Sequence, residues 1–311
     1  MSEKLRTILD LLSCPDDGQP LRLAGAQLLC SGCGRVFPLH GEDFAEILPS
    51  RPARLPESVS AEYRSAYLML FEQQFQKDNT CLAWGAEEAA TASWIRKRRR
   101  QVIAVRPLVT EGVKPDASVL CDIAAGAGHY TFAYRSFFRA ILHCDLSVQN
   151  LSYAWRKARE RNLDNIVFLR IDYFQPPFRY SLDRLLCLDT LIRGEGHDSM
   201  LLKSIAGCLK PTGRAVIDFH NWWHNPLRRI GFLPDNFESN RSYSRLETQK
   251  LLYEAAFSEA TPFRFVQEFD SGSRLGKLCS KALPPTRIVY RVRGSEAGPS
   301  QTAHCACEPG E

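Results

Sequence analysis

From Ser118 to Arg293, short apolar runs alternate with helical stretches, and this alternation constrains the fold more than any other feature. The apolar runs are "SVLCDI", "AILHCDL", "NIVFLRI", "DRLLCLD" and "RAVIDF". Helical periodicity lies between them, near residues 129–139, 147–161 and 197–209. Strand and helix in succession demand right-handed crossovers and a mostly parallel sheet. The expectation is therefore an α/β fold with helices on both faces of the sheet. A helix near 244–257 and two further strands, "TPFRFVQEF" and "RIVYRV", complete the unit.

The rest of the chain divides around this unit. Residues 1–50 hold two cysteine knuckles, "CPDDGQPL" and "CSGCGRVFPL", and form a small separate module. The proline- and arginine-rich "PSRPARLPES" stretch at 49–58 leads into residues 51–117, a linker that continues as a helical cap. In its first helix, Tyr63, Tyr67, Leu70, Phe71 and Phe75 fall on one face. The second helix, near 86–105, carries "IRKRRR"; it reads as amphipathic, with Ile95, Val102 and Ile103 facing inward. The main unit is 118–293, and the tail 294–311 lacks an apolar period and is expected to be disordered.

Composition sets limits on function. Forty Lys+Arg against thirty-five Asp+Glu gives a net charge of +5, too small to argue for a nucleic-acid partner. The N-terminus "MSEKLRTILDLLSC" has no long apolar core, so it does not read as a signal peptide. No window approaches the ~20 apolar residues that span a bilayer. Most of the eleven cysteines sit in apolar runs, as Cys121, Cys144, Cys187 and Cys208 do. Reduced, buried thiols and a cytoplasmic location are expected, with no membrane partner.

The first strand ends in "VLCDIAAGAGHYT", residues 119–131. In an open parallel sheet ligands bind beyond the carboxyl ends of the strands. Small residues there let a ligand approach the backbone, with amide N–H groups directed at it. A dinucleotide fingerprint would place a third glycine where Thr131 stands, and the Gly-Lys-Ser/Thr of a phosphate loop is absent. Asp122, just before the small residues, suits a cation or an amine and would repel a pyrophosphate. Asp145 ends the second strand, where an acid can grip a ribose diol, although taken alone it could be a helix cap. Asp172 ends the third, where it can accept from an exocyclic amine, and Tyr173 can cover a purine face.

This constellation resembles the class I S-adenosylmethionine-dependent methyltransferases over about residues 118–293. "DIAAGAG" stands where that family has acid-x-Gly-x-Gly-x-Gly, and Ala124 departs from the first glycine. "LLKSIAGCLKPTGRAVIDF" and "RSYSRLETQKLLYEAAF" resemble its later helices and fifth strand. The resemblance implies S-adenosyl-L-methionine as cofactor. It implies that Asp122, Ala124, Gly126 and Gly128 contact the methionine end, Asp145 the ribose and Asp172 the adenine, with Tyr173 and Asp189 alongside.

In the N-terminal module Cys30 and Cys33 form one Cys-x-x-Cys knuckle, and Cys14 opens a second in which Asp17 replaces cysteine. Cys14, Asp17, Cys30 and Cys33 make a candidate zinc site, with His40 as an alternative fourth ligand. The segment resembles Trm112-like zinc-ribbon domains, which implies a structural or substrate-holding role.

Chemistry is expected at the tips of strands four and five. "LDTLIRGEGHD" offers Asp189, Arg193, Glu195, His197 and Asp198; "DFHNWWHNPLRR" offers His220, Asn221, Trp222, Trp223 and His224. His197 and His220 are the candidate proton acceptors. His129, beside the turn, is a cofactor-side contact rather than a base. The favoured reading is methyl transfer to a small molecule, as in secondary metabolism. RNA base methylation is a second, and a noncatalytic binding protein on the same fold a third. A nicotinamide dehydrogenase is disfavoured by Asp122 and Thr131.

Overall fold

The computed structural model of the chain describes residues 3–75, 83, 86, 88, 90–191, 197–220, 243–264 and 287–295. Trp84, Arg193, Glu195, Asn221, Trp222, Trp223 and His224 lie outside the described residues. So do the tail beyond residue 295 and the second half of the strand expected at "TPFRFVQEF".

A short helix α1 (Glu3–Arg6) leads into a three-stranded antiparallel sheet of β1 (Leu21–Ala24), β2 (Gln27–Cys30) and β3 (Val36–Pro38). The next strand, β4 (Phe44–Ile47), leaves that sheet. It runs parallel to β7 (Ile166–Ile171), far along the chain, with Phe44 beside Phe168 and Ile47 beside Ile171. The Phe168 N–H donates to the Asp43 carbonyl at 2.7 Å, satisfying an edge that would otherwise be unpaired. The "FPLHGEDFAEILP" segment therefore ends inside the main sheet, where its sequence read as part of the ribbon.

That sheet contains β5 (Val119–Ile123), β6 (Ala140–Asp145), β7, β8 (Leu182–Cys187) and β9 (Leu209–His220), all parallel. β10 (Glu259–Arg264) and β11 (Arg287–Arg293) add antiparallel beyond β9. The order is β10-β11-β9-β8-β5-β6-β7-β4. The chain winds one way from β5 through β6 to β7 and then restarts at β8 on the other side of β5. The switch point, and with it the expected ligand crevice, lies at the carboxyl end of β5.

Alternation along the strands sends side chains to two cores. On one face Leu120, Ile141, Leu186 and Val216 pack under α3 (Ala92–Thr110) and α4 (His129–Tyr134). Farther along the same face, Phe44, Ile166 and Phe168 pack on α5 (Val148–Glu160). α5 follows from its sequence: Ser147 caps the Asn150 N–H, and Leu151, Ala154, Trp155 and Ala158 recur at helical spacing on the buried side. The opposite face collects Cys121, Leu142, Leu185 and Ile217 with residues of α2 (Ala61–Glu72), α6 (Asp198–Cys208) and α7 (Arg245–Glu254). Leu5, Ile8 and Leu12 of the N-terminal module belong to this same core.

Helix α3 corrects one expectation. Gln101, Val105 and Val109 are buried on it, with Val102 packed beside them, so Ile103 falls on the opposite side and is 61% exposed. Arg98, from the basic run, shares the inward stripe.

Candidate functional site

The turn after β5 has an unusual backbone. Ala124, Gly126 and Gly128 all have positive φ, at 54°, 56° and 82°. Gly128 caps α4, and a Cβ there would meet the Phe132 ring at 2.9 Å and His143 Cε1 at 3.4 Å. Ala124 adopts the left-handed conformation that the first glycine of the motif would adopt without strain.

Three amides of this turn are already bonded, one within the turn and two to the end of β6. Ala125 N–H donates to the Cys144 carbonyl at 3.1 Å and Gly128 N–H to the Ala125 carbonyl at 3.0 Å. Gly126 N–H donates to Asp145 Oδ2 at 2.8 Å. Three N–H groups that the sequence reading directed at a ligand are thus internal. The turn consequently favours a cationic ligand end over a phosphate.

Two carboxylates flank the turn and a third ends the neighbouring strand. Asp122 is buried and accepts from the Thr131 hydroxyl at 2.6 Å. Burial pushes its carboxyl up to about 7, against the hydrogen bonds from Thr131 and with a push from Asp145. Asp145 also accepts from Ser147 N–H at 2.8 Å and from Asn150 Nδ2 at 3.2 Å. Its pKa is likewise raised, burial outweighing these donors. Asp172 is 0% exposed. Its carboxylate accepts from the Tyr67 hydroxyl at 2.6 Å, Phe174 N–H at 2.9 Å and Gln175 Nε2 at 3.3 Å. Asp172, read from sequence as facing an adenine amine, here seats helix α2 and is sealed by it. The half-buried Tyr173 pairs its hydroxyl with that of Tyr63 at 3.0 Å.

The tip of β8 departs from the sequence reading in a similar way. Asp189, grouped there with the cofactor contacts, has φ 62° and pairs with both Arg98 and Arg287. Its N–H donates to Asp218 Oδ1 at 2.8 Å, and Arg287 pairs with Asp218 too. Burial alone would raise the Asp189 pKa; the guanidiniums of Arg287 and Arg98 instead hold it well below the carboxylate range. Two arginines and two aspartates form a closed quartet that pins α3 to the strand tips. No local signal in the sequence pairs Arg98 with Asp189.

The histidines separate. His197 is buried at the start of α6, stacked on Tyr63 with ring centroids 4.3 Å apart. His220 ends β9 opposite Arg287, near enough to influence Asp189 electrostatically. His129 opens α4 with Trp94 edge-on at 5.0 Å.

Arg170 joins the N-terminal module to this region. It is 2% exposed and donates to Glu46 of β4 at 2.7 Å. It also donates to the Leu70 and Phe71 carbonyls at the end of α2, at 2.9 and 3.2 Å, and to the Leu146 carbonyl beside Asp145, at 3.2 Å. The second Glu46 oxygen takes His40, so His40 stands apart from the cysteines. Glu46 has a lowered pKa: burial opposes the shift, and His40 and Arg170 overcome it.

The ligand atoms of Cys14, Asp17, Cys30 and Cys33 lie within 4.8 Å of one another. Cys14 and Cys33 sulfurs are 3.8 Å apart, and Cys30 Sγ is 3.3 Å from each Asp17 oxygen. Two sulfurs each ~2.3 Å from one tetrahedral zinc stand about 3.8 Å apart, so three thiols and a carboxylate fit that ion. Gln19 and Cys33 N–H groups, each 2.9 Å away, orient Asp17 toward the cluster.

Likeness to known proteins follows the same division of the chain. The family model described as a methyltransferase domain matches residues 121–217, from β5 to β9. Match, sheet order and helical layers define a Rossmann-like methyltransferase domain. Residues 6–41 match the model of Trm112p-like proteins, so this chain carries a Trm112p-like domain ahead of a methyltransferase domain. The fold is shared with geranyl diphosphate C-methyltransferase from Streptomyces coelicolor A3(2), at TM-score 0.50 and 12% identity. That likeness covers 76% of this chain and 99% of that one. Haemonchus contortus phosphoethanolamine N-methyltransferase 2 is similar at TM-score 0.48 and 14% identity, over 63% of this chain. The present chain spans about half of that protein, 52% of its length. A complex of the Haloferax volcanii Trm112 methyltransferase activator with a methyltransferase is similar at TM-score 0.47 and 14% identity, covering 65% of this chain and 96% of that one. No curated protein matches the chain. Among the described residues, no helix is long and apolar enough to cross a membrane.

Proposed function

We propose that the chain transfers the methyl group of S-adenosyl-L-methionine to a small-molecule acceptor. The observation that carries this reading is the turn itself: a left-handed backbone whose amides are internally bonded, flanked by Asp122 and Asp145. Such a turn suits the ammonium of an amino-acid ligand and the diol of a ribose, and it offers little to a pyrophosphate. The methyl donor, when bound, supplies an electrophilic methyl group on a sulfonium.

In this reading Asp145 holds the ribose hydroxyls with the lone pairs that Gly126, Ser147 and Asn150 leave open. Asp122 provides negative charge under the amino-acid end. Ala124, Gly126 and Gly128 let the ligand reach the backbone, and Tyr173 covers the purine. Asp172 acts at one remove, holding α2 over the purine side through Tyr67, and Asp189 holds α3. The aromatic inner surfaces of these helices, Tyr63 and Trp94 among them, exclude water from an in-line displacement. His220 is the proton acceptor where the acceptor atom carries a proton; His197 serves in packing. Zinc on Cys14, Asp17, Cys30 and Cys33 orders the N-terminal module.

A second reading, RNA base methylation, draws on the exposed Arg96, Lys97, Arg99 and Arg100 of α3. It requires RNA affinity that falls steeply with salt. The deciding experiment is calorimetric titration with S-adenosylmethionine and S-adenosylhomocysteine, with NAD as control. Binding of the sulfur ligands, weakened about 10- to 100-fold in Asp145→Ala, is expected from the loss of charged hydrogen bonds. A folded protein that binds neither sulfur ligand would leave a methyltransferase fold turned to another use.

A further inference from the structure

Beneath the turn lies a buried column of three side chains, two of which have had no role so far. The Thr131 hydroxyl, on α4, donates to Asp122 Oδ2 at 2.6 Å and sits 3.0 Å from His143 Nδ1. Asp122 and His143 are direct neighbours across β5 and β6. His143 and Thr131 are fully buried, and among the described residues His143 Nε2 has no hydrogen-bond partner.

The proton count favours one direction along this column. A hydroxyl has one hydrogen. If Thr131 gives it to Asp122, His143 must donate to Thr131, so Nδ1 carries the imidazole proton. The reverse direction has a protonated Asp122 donating to Thr131 and Thr131 donating to Nδ1. That places the imidazole proton on Nε2, which makes no hydrogen bond among the described residues, the Gly126 backbone acting on the ring only weakly against its burial. A buried N–H without a partner is unfavourable, so the column prefers an ionised Asp122.

We propose that His143 and Thr131 are positioning residues that keep negative charge on Asp122, beneath the amino-acid end of the methyl donor. This rests on the reading of the turn as the donor site.

The surroundings make the support necessary. Burial drives Asp122 toward protonation, to about 7, and Asp145 on β6 adds repulsion. The other titratable groups that face it are Cys121 on β5, Cys144 on β6, Tyr134 on α4 and Cys187 on β8, with His143 beside it on β6 beyond the Thr131 hydroxyl. The thiols and the phenol are raised by burial and uncharged near neutrality. Burial takes His143 down to about 3, so it too is neutral. An acid is ionised above its pKa, and an ammonium prefers the ionised form. Donor affinity therefore rises as pH climbs through about 7 and levels off above it.

The test compares S-adenosylhomocysteine with methylthioadenosine, which lacks the amino-acid end, by calorimetry on the full chain between pH 6 and pH 8.5. Wild type is expected to bind the first about tenfold more tightly at the upper pH and the second equally across the range. Thr131→Val and His143→Leu should lose about tenfold for S-adenosylhomocysteine at pH 7.5, shift its pH midpoint upward and leave methylthioadenosine unchanged. Thr131→Ser restores the hydroxyl, and His143→Asn restores an N–H near Nδ1; both should recover affinity. Unchanged affinity and pH profile in folded Thr131→Val and His143→Leu would overturn the proposal. Equal losses for the two ligands would overturn it as well, since that marks a merely structural role. If Thr131→Val fails to fold, the His143→Leu and His143→Asn pair decides alone. Wild type binding neither ligand would instead remove the donor-site reading on which the proposal stands.

Discussion

Ala124 holds a backbone conformation that costs an L-residue about 1–2 kcal/mol. Replacing it with glycine relieves that strain but adds about 0.4–1 kcal/mol of unfolded-state entropy. Ala124→Gly should therefore stabilise the protein by about 0.5–1 kcal/mol, read from urea unfolding; a loss of stability would show that the methyl group makes a packing contact worth more than the strain. The raised pKa of Asp122 also has a stability sign. The folded state holds its proton more tightly than the unfolded chain, so this group's contribution falls as pH rises from about 4 to about 7. At this scale Asp122 and Asp145 were legible, because strand ends and small residues mark positions along the chain. Thr131 was legible only as a missing glycine. Its partner His143 sits on the next strand, and a contact across strands leaves no mark in local spacing. Asp172 and Asp189 were placed correctly at strand tips, but their partners Tyr67 and Arg98 come from helices whose docking the sequence does not encode locally.

Arg170 is the residue through which three elements are held together. Its guanidinium uses separate N–H groups for β4, the end of α2 and the loop after β6. Removing it leaves Glu46 half-buried without its main counter-charge and two helix-terminal carbonyls without donors. Arg170→Met is expected to cost about 3–5 kcal/mol, and Arg170→Lys less, because an ammonium cannot reproduce the planar fork. The decisive pattern in urea unfolding is that Glu46→Gln, which retains a hydrogen-bond acceptor, costs less than Arg170→Met. Equal costs would assign the stabilisation to the ion pair alone. The elements themselves were largely legible: all five expected parallel strands form, and α5 and α6 stand where the periodicity put them. Helix bounds moved, since α3 runs Ala92–Thr110 rather than 86–105 and α2 ends at Glu72, before Phe75, and β4 was not read as a strand of the main sheet. Four residues between Asp43 and the Leu48-Pro49 pair give no sign of whether they end a small module or extend a distant sheet.

For the molecule as a whole, Leu5, Ile8 and Leu12 share a core with the strands and helices of the main sheet. If zinc orders the N-terminal module, its removal should be felt throughout. Purified protein is expected to carry about one zinc per chain, and chelation should lower a single cooperative Tm by on the order of 5–10 °C. Metal analysis finding no zinc in folded protein would refute the ion assignment, and an unchanged Tm after zinc removal would refute the coupling. The pairing of β4 with β7 also has a consequence in time. β4 leaves the ribosome early, whereas its partner strand is made about 120 residues later. At ~5–20 residues per second, the apolar strand waits roughly 6–24 seconds before its place in the sheet exists. During that interval any exposed strand edge nearby is a competitor, so the yield of native protein should depend on how quickly translation proceeds between these two strands.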